Sequence, residues 1–142
     1  MKQLKFLIPL MVLMVHTQLF GQLSKTISQA IDIKGFEKIH FELDSKDIIF
    51  KETKGSRILV QTKVTLSIPN ENLLNFVTGS GRYDLISEID PNDDILNIFS
   101  KKDKNTIILK GEECKEKIVY YFYIPSSVTY TTNVELLTEN TQ

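Results

Sequence analysis

Apolar and polar residues alternate over most of the chain from Ile31 onward, in runs of about five to eight residues. In one such run Ile58, Val60, Thr62 and Val64 occupy every second position. Because successive side chains of a strand point to opposite faces, this spacing predicts strands with one buried and one solvated face. Turn residues separate the runs, so we expect about eight strands, at residues 39–43, 48–51, 57–67, 83–89, 95–100, 106–110, 117–124 and 128–136.

The turns indicate how these strands connect. Residues 54–56 (Lys-Gly-Ser) predict a hairpin between 48–51 and 57–67, and the Asn- and Asp-containing segments 90–94 and 101–105 predict meander turns. Since a parallel return needs a dozen or more connecting residues, the short connections favour antiparallel neighbours. The expected fold class is all-β: a single antiparallel-rich sandwich or a short solenoid-like domain.

One segment departs from the period of two. Leu73, Phe76 and Val77 lie at helical spacing, Asn70 is a residue type that caps helix N-termini, and Gly79 is suited to end a helix. We therefore expect one short helix near residues 70–78, crossing one edge of a sheet.

The first 22 residues have the order of a secretory signal peptide. Lys2 and Lys5 precede the apolar run 6–15, and mixed polarity returns before Gly21 and Gln22, where we expect cleavage. A membrane anchor or a buried core helix is the alternative, but a transmembrane helix needs about 20 apolar residues. The expected product is a single β-rich domain, 22–142, with a polar tail from about 129 and no transmembrane anchor, located in the periplasm, at the cell surface or outside the cell.

Charge and composition narrow the classes of function. The 142 residues are 25% charged and carry a net charge of −1, and removal of the signal peptide leaves 15 basic and 18 acidic residues, a net charge of −3. A nucleic-acid-binding protein would be expected to be basic, so we expect no nucleic-acid partner. A single cysteine excludes a disulfide-stapled domain.

The residues available for catalysis are few. After cleavage the chain has one histidine, His40, and one cysteine, Cys114. We expect His40 on a strand surface, and Cys114 as a buried or idle thiol, an intermolecular bridge or a reactive nucleophile. One histidine and one cysteine cannot form a structural zinc site. No glycine-rich phosphate motif and no Gly-x-Ser-x-Gly motif occurs, so we expect no cofactor and no enzyme activity.

The acidic turn at 90–94 is the remaining candidate metal site. If Asp90, Asn92 and Asp94 were the first ligands of an EF-hand, the required glycine would be Ile95 and the bidentate glutamate would be Lys101. An EF-hand is therefore excluded, only a looser calcium site stays open, and we expect no metal.

The segment 118–125 is aromatic or apolar on both faces. Tyr121 and Tyr123 point to one face, while Tyr120 and Phe122 point to the other. A strand covered on both sides explains this pattern, with the aromatic rings filling a core. The alternative is that Tyr121 and Tyr123 form an exposed face that binds a sugar or a partner protein.

Residues 31–41, 47–50 and 55–60 carry a Phe-x-x-Ile strand, a short apolar strand and a Gly-x-x-Ile-x-Val strand. This order resembles the adhesin-type β-strand-repeat domains of Bacteroidota envelope proteins, over roughly residues 27–64. The resemblance implies an all-β fold and a place in the envelope. The Gly/Ser/Asn-rich repeats of that family are missing, so a long fibre is not expected.

We therefore expect an exported, non-catalytic protein of binding, structural or adhesion type, with a protein or glycan of the envelope as partner. Two alternatives stay open: a small secreted hydrolase that uses Cys114 or a carboxylate pair, and a carrier with a β-enclosed apolar cavity.

Overall fold

The computed structural model describes residues 22–133 except 103, and these residues confirm the all-β class. The predicted signal peptide with Gly21, and residues 134–142 of the predicted tail, lie outside this range. In chain order the elements are β1 (Ser24–Asp32), β2 (Lys38–Glu42), β3 (Ile48–Thr53), β4 (Arg57–Leu66), α1 (Glu71–Gly79), β5 (Leu85–Asp90), β6 (Ile95–Ser100), β7 (Ile107–Leu109), β8 (Glu112–Cys114), β9 (Glu116–Pro125) and β10 (Thr129–Thr132).

Two four-stranded sheets face each other as a sandwich. The first sheet has the order β1-β4-β9-β3, the second has the order β10-β2-β6-β5, and β7 and β8 form a separate two-stranded sheet. The expectation of antiparallel neighbours is correct for β1–β4, β4–β9, β5–β6 and β7–β8. It is wrong for β2–β6, β10–β2 and β3–β9, which are parallel.

The predicted hairpin between β3 and β4 is also wrong. Both strands belong to the first sheet, but β9 lies between them and pairs with each. Residues 54–56 therefore carry the chain across one intervening strand, a span of about 10 Å. The turn residues predict that the chain reverses direction. They do not indicate that β9, which comes later in the sequence, lies between β3 and β4.

The main core fills the space between the sheets with inward-facing residues of both. Phe41 of β2 and Phe122 of β9 are fully buried, and their ring centroids lie 4.7 Å apart. Phe50 of β3 stacks on Phe122 at 5.3 Å, and Tyr130 of β10 lies 4.4 Å from Phe50. These rings close the side of the sandwich where β3 and β10 are the edge strands.

A second, smaller core lies beneath α1. Leu74 and Val77 of the helix pack against Val64 and Leu66 of β4, together with Cys114 of β8. The Asn70 side chain accepts a hydrogen bond of 2.9 Å from the backbone N–H of Leu73, as expected for an N-cap. The helix at Glu71–Gly79 thus confirms the predicted one.

On the side of the sandwich where β1 and β5 are the edge strands, the Gln29 side chain joins the two sheets. The amide nitrogen of Gln29 on β1 donates to the carbonyl oxygen of Leu85 on β5, and the Gln29 amide oxygen accepts from the Leu85 N–H, both at 2.9 Å. Gln29 therefore links the edge strands of the two sheets as a neighbouring strand would.

Within the described residues, no helix has the length and apolar character needed to span a membrane.

Candidate functional site

Tyr121 and Tyr123 lie on the outer surface of the first sheet. Their neighbours in β9, Tyr120, Phe122 and Ile124, are buried against the second sheet, and alternation along the strand directs the two tyrosines the other way. Both are half-buried. Among residues 22–133, with 103 left aside, the strand is therefore covered by a second sheet on one face only, and in this part of the chain Tyr121 and Tyr123 do not fill the core.

Strand pairing surrounds the two tyrosines with side chains from distant parts of the sequence. Tyr123 lies opposite Leu59 of β4 and Lys51 of β3, while Tyr121 lies opposite Gln61 and Ile49. Leu59 and Ile49 remain 48% and 42% exposed. We call this surface the tyrosine face and define it by Ile49, Lys51, Leu59, Gln61, Tyr121 and Tyr123.

The tyrosine face is bordered by positive charge. Lys51 lies over the ring of Tyr123, 5.8 Å from its centroid, which is the geometry of a cation–π contact. Arg57 and Lys63 lie on the same outer face of β4, and Lys117 lies on the same face of β9. These three cations and Lys51 are all exposed. On the outward positions of β1, β4, β9 and β3, all of which the structure describes, Asp32 is the only acidic residue. It pairs in register with Arg57.

A second cluster of charges lines an open groove of about 430 Å³ where residues 104–107 meet the start of β9. We call it the polar groove and define it by Asp44, Arg82, Lys104 and Glu116. The Asp44 carboxylate accepts hydrogen bonds from the Tyr120 hydroxyl at 2.8 Å, from the Ser100 hydroxyl at 3.0 Å and from Lys104. Burial disfavours its charge, but these hydrogen bonds outweigh burial and hold the pKa of Asp44 below its ordinary value.

Glu116 forms the other half of the groove. Arg82 donates two hydrogen bonds to its carboxylate, at 2.7 and 2.8 Å, and the Tyr83 hydroxyl donates a third. Burial opposes this charge too, but the bonds from Arg82 and Tyr83 lower the pKa of Glu116, while burial and the Glu116 bond raise the pKa of Tyr83. Burial likewise raises the pKa of Tyr120. Near neutral pH the Asp44 and Glu116 carboxylates are therefore ionised, and the Tyr83 and Tyr120 hydroxyls are protonated.

This ionisation pattern indicates a structural role for the polar groove. A general base or acid works best with a pKa near the operating pH, whereas these carboxylates are shifted away from it. Each charge is also already engaged by groups of the protein. The Arg82 guanidinium also donates a hydrogen bond of 2.7 Å to the carbonyl oxygen of Asn105. The cluster therefore connects the segment after β6 with β9.

The catalytic candidates from the sequence lie apart. Cys114 is 3% exposed within the second core, where its sulfur lies 3.9 Å from the Ser67 hydroxyl. His40 is on the outer face of the second sheet, and its Nδ1 lies 2.8 Å from the Thr131 hydroxyl. The two belong to different surroundings and form no dyad. Within 22–133, residue 103 aside, no group of three or more His, Cys, Asp or Glu side chains is arranged to hold a metal.

Two parts of the site could not be read from the sequence. The period-two pattern of 57–64 already put Leu59, Gln61 and Lys63 on one face, but their position beside Tyr121 and Tyr123 depends on the pairing of β4 with β9. The groove partners Asp44 and Tyr120 are 76 residues apart, and no local pattern predicts their contact.

Comparison with known proteins gives few likenesses. No family model matches the chain, and no curated protein matches it. Among solved structures, the fold is similar to that of a "putative cell adhesion protein" from Clostridium sporogenes, with a TM-score of 0.35 and 9% sequence identity over 78% of this chain and 46% of that chain. The chain thus spans less than half the length of that protein. The resemblance to Bacteroidota β-strand-repeat domains stays a prediction.

Proposed function

We propose that this chain is an exported, non-catalytic binding domain of adhesion type, and that the tyrosine face is its contact surface. One observation carries the proposal: Tyr121 and Tyr123 stand on the outside of a sheet, between exposed Leu59 and Ile49. Exposed aromatic and aliphatic side chains grouped on one surface mark interaction sites more often than isolated ones do. Export is supported by the order of charge and hydropathy in residues 1–22.

The alternatives find less support in the described residues. A thiol hydrolase would need an accessible Cys114, which is buried. A carboxylate-based hydrolase would need free carboxylates, whereas Asp44 and Glu116 are held by Lys104 and Arg82. A carrier would need an apolar cavity between the sheets, and there the rings of Phe41, Phe50 and Phe122 pack together.

The test measures retention of the purified full chain on native cell envelopes. The double substitution Tyr121→Ser, Tyr123→Ser removes both aromatic rings, and Ile86→Ser with Ile108→Ser removes two exposed apolar side chains elsewhere as a matched control. We expect retention by the wild type and the control, and loss of at least tenfold in the tyrosine variant. Circular dichroism verifies that all three proteins are folded. Equal retention of the three, or no retention of the wild type, would refute the proposal.

A further inference from the structure

The sign of the charge on the tyrosine face differs from that of the whole chain. The full sequence has a net charge of −1, yet the outward positions of β1, β4, β9 and β3 carry four cations against the single carboxylate of Asp32. An excess of cations gives this face a positive potential, which attracts groups of the opposite sign. The partner of this surface is therefore expected to be anionic.

The dimensions of the surface favour an extended chain as ligand. Arg57 and Lys63 are six residues apart on one strand, about 20 Å, and four neighbouring strands span about 14 Å. The two tyrosine rings lie side by side along β9, about 7 Å apart, in the middle of this area. A flat surface of this size can contact several units of a polymer, whereas a small molecule needs a concave pocket.

The polar groups between the cations suit a ligand rich in hydroxyl groups. The tyrosine hydroxyls and the Gln61 amide can each donate and accept hydrogen bonds. The faces of the tyrosine rings attract the polarised C–H groups of a sugar ring, as they attract the ammonium of Lys51.

Resting on the proposed function, we infer that the partner bound by the tyrosine face is an acidic polysaccharide. Its sugar rings lie against Tyr121 and Tyr123, and its carboxylate, sulfate or phosphate groups pair with Lys51, Lys63 and Arg57.

Charge density argues against single-stranded nucleic acid as the partner. One strand of DNA carries a charge about every 3.4 Å, so a 20 Å path brings about six charges. The four cations, in contrast, lie on three different strands of the sheet and follow no single line. Widely spaced cations match a polymer in which a sugar ring separates one anionic group from the next.

The test titrates the full chain with four polymers at low salt: alginate, hyaluronan, neutral dextran and oligo-dT. Lys51→Gln with Lys63→Gln removes two cations of the face, and Lys38→Gln with Lys115→Gln removes two exposed cations elsewhere as a control. Isothermal titration calorimetry measures each dissociation constant. We expect binding of alginate or hyaluronan that weakens as salt is added. We expect a three- to tenfold loss of affinity in the Lys51/Lys63 variant, no loss in the control, and a larger loss in Tyr121→Ser, Tyr123→Ser.

Three results would overturn the inference. They are no binding of either acidic polysaccharide, equal binding of dextran with no effect of the lysine substitutions, and binding of oligo-dT as tight as that of alginate and hyaluronan. In each case a tyrosine-dependent retention on cell envelopes would leave the proposed function standing. If the tyrosine substitutions do not change retention, or if the wild type is not retained, the proposed function itself is refuted.

Discussion

Replacement of Asp44 by Asn tests whether the polar groove stabilises the fold through charge. Asn keeps the shape and one acceptor oxygen, and it removes the negative charge that faces Lys104, Tyr120 and Ser100. Hydrogen bonds to a charged group contribute about 1.5–3 kcal/mol each, and neutral ones about 1 kcal/mol. The Asp44 side chain is 33% exposed, so solvent screens part of this difference. We expect a loss of about 1–2 kcal/mol at pH 7.

The pH dependence of that loss is the sharper measurement. The pKa of Asp44 is lowered in the folded protein, so its contribution is present above the ordinary value of 3.8 and disappears as the pH falls through the folded value. Urea unfolding at pH 7 and at about pH 2 gives the free energy of unfolding of wild type and variant at both. At the lower pH, the free energies of unfolding of the wild type and of Asp44→Asn should be nearly equal.

The exposed carboxylate of Asp47, in the same loop, provides the control. Asp47→Asn should change the free energy of unfolding by less than about 0.5 kcal/mol. A double-mutant cycle of Asp44→Asn with Tyr120→Phe should give a coupling energy of about 1 kcal/mol. The reasoning fails if Asp44→Asn is as stable as the wild type at pH 7, or if its deficit is the same at both pH values.

Four further outcomes are expected. Phe122→Ala should lower the free energy of unfolding by about 3–5 kcal/mol in urea titrations, because it leaves a cavity among packed rings, and a loss below about 1 kcal/mol would contradict this core. Cys114 should react with a thiol reagent only as fast as the protein opens, and rapid labelling of the native protein would show that it is accessible. Mass spectrometry of the exported protein should find Gln22 as its first residue; an intact Met1 would contradict the signal peptide. Gln29→Leu should cost about 1–3 kcal/mol by thermal or urea unfolding, since it leaves the Leu85 backbone groups without partners, whereas Ser28→Ala should be nearly neutral.

Strands with a clear apolar alternation could be located from the sequence. The predicted 95–100 strand matches β6, and the predicted 57–67 strand differs from β4 by one residue. β1 is missing from the predicted strands, because Gln29 interrupts its inward positions and small polar residues occupy most of its outward ones. β8 is also missing from the predicted strands, because two of its three residues are Glu112 and Glu113.

Strand pairing could not be predicted, because it depends on contacts between distant residues. Consecutive strands cross between the two sheets, as β1 and β2 do, so sequence neighbours are often not paired neighbours. The outward direction of Tyr121 and Tyr123 follows from alternation alone, and the strand pattern indicated it. The cations around them come from β3 and β4 as well as β9, and only the folded register brings them together.

The link between Gln29 and Leu85 also affects how the sandwich avoids joining other sheets. β5 is an edge strand, and exposed backbone groups on such a strand invite pairing with another chain. Alternate residues of a strand direct both backbone groups to the same side, so Leu85, Ser87 and Ile89 all face that edge. Gln29 occupies the first of these three positions with a side chain that cannot propagate a sheet. On this side of β5 an incoming strand could pair only with Ser87 and Ile89, which shortens the ladder available for edge-to-edge pairing.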